Sequence, residues 1–379
     1  MQVLINVLQI NGGSEVLGGV SMITARWYRH IDKSTFRFTF LSYNETTYEV
    51  FRDEIENHGG TIVALNAKSK LYVQYAYRLY KYIKNNRYDI VHVSSGLRFF
   101  NFISLFVCKL AGIKVRIVHS RNAPIVTNRI SGFFLKLLIK NIATHYFSIS
   151  KNASVYMFTR GLIKSNKIEI IKNGIVPDEF TYNNEKRERI RLEMELGENF
   201  TIGHIGRFTK QKNHRFLLDI FRELLTLHPH SILLLVGEGE LESEIRKQAE
   251  NYGIINRIKF LGTRKDIPSL LNAMDVFVFP SLFEGFGNVG LEAQACGLPT
   301  FMSDNFPKEI SVTENSYFVS LDRSAKEWAE NIFLFISHER KDLRHCIVEA
   351  GFDMRNVVKQ LECNYLSYYY EAMNKKHRG

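Results

Sequence analysis

The chain has 379 residues, 45% of them hydrophobic, and a formal net charge of +11. That length suits about two domains, each large enough for its own core. Its four cysteines (Cys108, Cys296, Cys346, Cys363) stand far apart and form no C-x-x-C pair, which argues against a disulfide framework or zinc site and for a reducing compartment.

Met1–Ile10 is an apolar, strand-like run without the basic start and cleavage pattern of a secretory leader. Strands are predicted at Val3–Gln9, Phe36–Ser42, Thr61–Leu65, Asp89–Val93, Lys114–His119, Thr144–Ser150 and Ile168–Ile171. Helices are predicted between them at Val20–Ile31, Glu49–Asn57, Leu71–Lys84 and Asn128–Lys140. Such alternation with short connections implies a parallel sheet with helices on both faces. Residues 99–113 come nearest to a membrane span, but fall short of roughly 20 apolar residues and carry Asn101 and Lys109.

Asn173-Gly174-Ile175-Val176-Pro177 breaks the pattern, and Thr181–Glu198 leads out as a charged segment. A second series follows, with strands at Phe200–Gly206, Ser231–Val236, Ile258–Leu261, Val276–Phe279 and Pro299–Met302. Its helices fall at Asn213–Leu227, Leu241–Tyr252, Ile267–Ala273 and Asn288–Cys296, and the tail from Ser324 onward reads as helical and polar. The fold class is therefore α/β, with two doubly wound parallel-sheet domains. Such sheets bind ligands at the carboxyl ends of their strands, so the two crevices are expected to face each other across a cleft.

Charge is distributed unevenly. Residues 1–180 hold 24 Lys/Arg against 11 Asp/Glu, whereas residues 181–379 hold 26 against 28. Between Lys68 and Lys172 there are 19 basic residues and two acids, Asp89 and Glu169. A half so positive seeks an anionic surface. No nucleic-acid motif is present. Aromatic and basic residues interleave at Tyr72–Tyr82 and Phe133–Lys140, a mixture comfortable at a membrane interface. The expected partner is an anionic membrane leaflet, with the protein cytoplasmic and peripheral to it; the plainer reading is a set of ordinary amphipathic helices.

The most informative segment is Phe279–Pro299, FPSLFEGFGNVGLEAQACGLP. A strand, a glycine-rich loop and a helix opening near Asn288 together form the layout of a nucleotide crevice, with backbone N–H groups and the helix dipole offered to a diphosphate. Glu284 and Glu292, eight residues apart, can address one polyhydroxylated ligand, since ionised oxygens hydrogen-bond strongly to O–H donors. Upstream, Gly206-Arg207 and Lys212 end a strand and open a helix, where cations are poorly placed unless an anion sits beside them. Arg207 can fork two phosphate oxygens and Lys212 adds a point charge. Glu238 ends the neighbouring strand. His119 closes another strand, with Arg121 and Asn122 beside it as acceptor contacts, and Arg98 in an earlier loop as an acceptor-phosphate contact. No D-x-D pair or His/Cys cluster suggests a metal, and neither a G-x-G-x-x-G nor a Walker-type loop is present.

Glu284 and Glu292 resemble the E-x7-E signature of retaining glycosyltransferases of family 4, which share the two-lobed GT-B fold. Gly18-Gly19, His119, Gly206-Arg207 and Lys212 match that pattern in order, so the likeness runs from Gly18 to about Pro299. The resemblance implies a hexose transferred from a nucleotide sugar, expected to carry UDP, to a lipid-diphosphate-linked or glycan acceptor in capsule or exopolysaccharide assembly. It implies a donor diphosphate held by Gly18, Gly19, Gly206, Arg207 and Lys212. Glu284 is implied on the donor sugar's hydroxyls, Glu292 on the ribose, and backbone N–H groups from Gly285 through Phe286, Gly287 and Asn288 to Val289 beside them. His119 would contact the transferred sugar. No metal or other cofactor is implied. Residues 1–178 would bind acceptor and 179–354 donor, with 355–379 as a helix returning to the first lobe.

Two other readings share this donor pocket. A GT-B sugar-nucleotide epimerase would want added acid and base groups. An inactive sugar-nucleotide-binding scaffold would be marked by loss of the glutamates or the Arg–Lys pair, and all four residues are present.

Overall fold

The computed structural model describes residues 3–12, 19–42, 45–66, 72–121 and 129–374. The chain divides into two compact units, Met1–Gly174 with Met354–Gly379, and Ile175–Asp353.

The first unit holds a seven-stranded sheet: β1 (Ile5–Asn11), β2 (Phe36–Ser42), β3 (Thr61–Ala64), β4 (Ile90–Ser94), β5 (Val115–Ser120), β6 (His145–Ser148) and β7 (Ile168–Ile170). Their order is β3-β2-β1-β4-β5-β6-β7, every pair parallel. The second unit holds β8 (Phe200–Ile205), β9 (Ser231–Val236), β10 (Ile258–Phe260), β11 (Val276–Phe279), β12 (Thr300–Ser303) and β13 (Ser316–Val319). These run β10-β9-β8-β11-β12-β13, again all parallel. Both orders reverse at one point, between β1 and β4 and between β8 and β11. That is where open α/β sheets leave a crevice beyond their strand ends.

Parallel strands covered on both faces read as continuous apolar runs rather than alternating ones. β9 and β11 are buried along their whole length. Complete burial of Leu233, Leu234 and Leu235 contributes about 1.5–3 kcal/mol each. The helix His214–Leu227 buries Leu217, Leu218, Phe221 and Leu224, spaced at one helical face.

Three elements depart from expectation. The strand β13 was not anticipated, because it lies at a sheet edge with only half-buried residues. Residues 99–113, weighed only as a membrane span, contain the helix Arg98–Leu110, which buries Phe100, Leu105, Val107 and Cys108 while Phe99, Phe106 and Leu110 face outward. Within the charged segment 181–198 lies the helix Asn184–Glu193, capped by the Asn183 side chain and held by Arg187 and Arg191, which both bond Asp275. Among the described residues no helix is long and apolar enough to cross a membrane.

The last helix, Met354–Asn374, belongs to the first unit. It packs on the helix Gly19–His30 and on β5, burying Met354, Val357, Val358, Leu361 and Tyr365.

Candidate functional site

In the second unit the chemistry gathers after β8 and β11. The amide of Gly206 donates to the Val236 carbonyl at 2.9 Å, and that of Gly237 to the Gly262 carbonyl at 2.8 Å. Gly237 has φ +132°, and a Cβ there would lie 2.3 Å from the Gly206 oxygen. Only glycine permits that backbone approach. Arg207 is exposed at the resulting strand end.

Lys212 stands on the following short turn, Lys210–Lys212, and its stem packs on Gly206. Its Nζ is 2.7 Å from Glu284 Oε1 and 4.5 Å from the centre of the Phe279 ring. Side-chain exposure is 18% for Lys212 and 7% for Glu284, so this is a largely desolvated pair. Three bonds lace the two loops together. The Leu282 amide donates to the Gln211 carbonyl, Gln211 Nε2 to the Phe283 carbonyl, and Asn213 Nδ2 to the Pro280 carbonyl.

Beyond Glu284 the helix Asn288–Ala295 opens after Gly287, whose φ of +92° turns the chain sharply. Its N-cap is Gly287, which has no side chain to offer, and no acid lies in its first turn. The backbone donors there suit an anion. Glu292, on the second turn, is 3% exposed. Glu238 Oε1 accepts from the Thr263 amide at 3.2 Å and so braces the loop after β10. The Phe286 ring turns into the core against Phe352 with centroids 5.1 Å apart, consistent with an expectation that concerned only its backbone N–H. Its backbone alone remains for a ligand. Glu284, Lys212, Gly206 and Gly237 are thus brought to one strand-end region.

Behind Lys212 lie two histidines that the sequence reading passed over. His204, on β8, is buried with Nδ1 bonded to the Val278 carbonyl at 2.8 Å. His214 stacks on Phe208 at 4.2 Å, and neither of its ring nitrogens finds a partner. Burial lowers His204 to about 3 and His214 to about 2.

In the first unit His119 sits near the carboxyl end of β5, fully buried. Its Nδ1 lies 3.1 Å from His92 Nε2 and 3.4 Å from Arg121 Nη2. The two imidazoles stack at 6°, and the Trp27 ring stacks near both. The Arg121 guanidinium lies 4.4 Å over Trp27 and donates to Asn173 Oδ1 at 3.0 Å. Burial, then Arg121 and His92, pushes His119 well below its ordinary range, with the Ile171 backbone opposing weakly. Burial lowers Arg121 to about 9. Nearby, Asn11 Nδ2 donates to the hydroxyls of Thr24 and Tyr48. Arg98 opens the helix Arg98–Leu110 and lies over the Tyr156 ring at 4.2 Å. Gly19 opens the helix Gly19–His30, whereas Gly18 and Asn122 lie outside the described residues. His92 lies one residue before the end of the predicted strand Asp89–Val93 and carried a weak signal. Tyr365, Trp27 and Asn173 carried none, since only folding brings them to His119.

Comparison with known proteins places both halves. Residues 17–179 match the family described as Glycosyltransferase Family 4, and residues 186–354 the family described as Glycosyl transferases group 1. The chain is 28% identical to EpsF of Bacillus subtilis over 362 residues, 91% of this chain and 92% of that protein. It is 28% identical over 245 residues, 60% of each protein, to the UDP-Gal:alpha-D-GlcNAc-diphosphoundecaprenol alpha-1,3-galactosyltransferase of Escherichia coli. In fold it resembles Anabaena HepE, solved in complex with UDP and glucose, with a TM-score of 0.78 at 18% identity over 96% of this chain and 100% of that one. The two parallel sheets and the paired family matches agree, and the chain belongs to glycosyltransferase family 4, with the GT-B fold.

Proposed function

We propose that the protein transfers a hexose from a UDP-sugar to a lipid-diphosphate-linked or glycan acceptor, with retention at the anomeric carbon, in capsule or exopolysaccharide assembly. The observation that carries this reading is the Lys212–Glu284 pair in the loops that lead to the helix Asn288–Ala295, whose N-cap is a glycine. A nucleotide sugar offers an anionic diphosphate and neutral hydroxyl donors a few ångströms apart. Those are the partners that an ammonium and a carboxylate each require. As the glycosidic bond breaks, negative charge builds on the departing phosphate oxygen. Arg207, Lys212 and the helix N-terminus would stabilise it in a site shielded from water, without a metal ion. Glu284 would bind the sugar's hydroxyls and Glu292 the ribose. His119 would contact the transferred sugar, and Arg98 and Arg121 the acceptor.

The Escherichia coli relative supports the finer terms of this reading. Its name joins a UDP donor to a diphosphate-linked lipid acceptor. UDP-galactose is an α-glycoside, so an α-1,3 product means retention.

The acceptor class is also supported by the first unit's surface. The helices Tyr72–Asn85, Arg98–Leu110 and Arg129–Ile142 pack side by side and expose Val73, Tyr77, Phe106, Leu110, Phe133 and Phe134. Lysines and arginines dominate the same stretch of chain. This face would rest on the anionic inner leaflet, where a lipid-linked acceptor is presented.

The deciding experiment incubates the full chain with a panel of nucleotide sugars and lipid-diphosphate acceptors and scores products by mass spectrometry. One UDP-hexose should give an acceptor-dependent, α-linked product. Conversion of donor without acceptor, or no product from any UDP-sugar, would overturn the proposal.

A further inference from the structure

The buried cluster around His119 fixes where every ring proton sits. Arginine has donors and no acceptor. Arg121 Nη2 therefore donates where it meets His119 Nδ1 at 3.4 Å, and that nitrogen presents its lone pair. His92 Nε2 faces the same Nδ1 at 3.1 Å and must carry a hydrogen too, or two lone pairs would oppose each other. His92 Nδ1 is then the acceptor, and the Tyr365 hydroxyl, 2.6 Å away, donates to it. The opposite assignment would serve the contact between the two rings equally well but would set an N–H of His119 against the Arg121 donor, so Arg121 decides between them. Neither ring holds a second proton, because both are fully buried beside a guanidinium that no carboxylate pairs among the described residues. In a neutral His119 the remaining hydrogen lies on Nε2, a buried atom that closes no well-formed hydrogen bond among the described residues, the Ile171 backbone being a weak partner to the ring at most. A buried donor left unmet costs about 1–3 kcal/mol, and a substrate oxygen reaching Nε2 would recover it.

We propose that Tyr365, His92 and Arg121 are positioning residues that lock His119 as a neutral imidazole with its hydrogen on Nε2, so that His119 serves the substrate as a hydrogen-bond donor and not as a base. The inference rests on the reading that His119 contacts the transferred sugar. It gives the last helix a part in the site, since Tyr365 reaches His92 from 273 residues further along the chain. Trp27 and Phe147 hold both rings in plane by stacking and edge contacts.

The test uses the full chain labelled with 15N-histidine, with signals assigned through His92→Gln and His119→Gln. Long-range 15N–1H correlation should show protonated Nε2 and bare Nδ1 on both rings at neutral pH. Tyr365→Phe keeps the ring that packs on Phe36 and Phe38 and removes only the hydroxyl. It should shift the His92 Nδ1 resonance and lower kcat about tenfold, with donor KM changed less than about twofold. A hydrogen on Nδ1 of either ring, or a Tyr365→Phe protein with unaltered imidazole resonances and unaltered kcat, would overturn the relay. The spectra are read without substrate. A chain that transfers no sugar yet shows these tautomers therefore faults the role of His119 alone, and an active chain with the opposite tautomers faults the relay alone.

Discussion

Lys212 Nζ and Glu284 Oε1 lie 2.7 Å apart although 72 residues separate them, and each is largely shielded from water. In the unliganded protein the two charges satisfy each other. On the proposed function, a donor that brings its own diphosphate and hydroxyls would satisfy both at once, so the same two side chains would serve recognition and charge neutrality.

Removing one partner should therefore cost twice. Lys212→Ala should lower turnover by ~10² through lost stabilisation of the leaving phosphate, and Arg207→Ala by a similar factor. Lys212→Ala should also lose about 1–3 kcal/mol of stability, because the Glu284 carboxylate is left buried and unmatched. Combining Lys212→Met with Glu284→Gln should cost less stability than the two single changes summed. Steady-state kinetics and urea titration measure both effects, and near-normal rates in Lys212→Ala and Arg207→Ala would refute the phosphate role.

If those cations and the helix N-terminus carry the leaving group, the reaction needs no divalent ion. Among the described residues no three His, Cys, Asp or Glu side chains gather to hold one. Turnover after dialysis against EDTA should match the untreated enzyme. A rate restored only by added Mg2+ or Mn2+ would contradict the assignment.

Gly237 holds the two donor-side loops in backbone contact. A methyl group added there would meet the Gly206 oxygen at 2.3 Å from a φ of +132°. Gly237→Ala should cost about 1–3 kcal/mol and weaken UDP binding about tenfold, because Arg207 follows directly on Gly206 and the Lys212 stem packs on it. Calorimetry with UDP and a thermal melt check the two halves of this statement.

Acid should destabilise the second unit through His204 and His214. Their folded values are held at about 3 and about 2 by burial, while an unfolded histidine titrates near 6.5. The stability they contribute is present above pH 6.5 and is lost as pH falls below it, because only the unfolded chain then takes up the protons. Between pH 7 and 5 each should account for about 2 kcal/mol. His214→Phe, with its ring against Phe208, should flatten the acid slope by one such share; an unchanged slope would argue against it.

Membrane attachment should depend on both charge and aromatic surface. The full chain should co-sediment with vesicles rich in anionic lipid and not with purely zwitterionic ones. Binding should drop at about 1 M salt, where the Debye length shrinks to about 3 Å. Phe133→Ser with Phe134→Ser should weaken it further, since both rings are more than half exposed. Equal binding to both vesicle types would remove the charge argument.

Local pattern was enough for the architecture and for nominating a strand-end loop as the donor site. Short apolar runs such as SILLLV and VFVF suit strands covered on both faces, and glycines with acids at Phe279–Pro299 marked the loop between such a strand and the next helix as the candidate donor site. Which side chains meet was decided by the fold. The strand order sets β8 beside β11 and so joins Lys212 to Glu284. The last helix carries Tyr365 to His92, and the loop before Asn288 turns the Phe286 ring inward. Hydrophobic periodicity reports only whether a residue faces core or water within a few positions of itself. Contacts across tens or hundreds of residues, and the proton positions they impose, exist only once parallel crossovers have placed distant strand ends side by side.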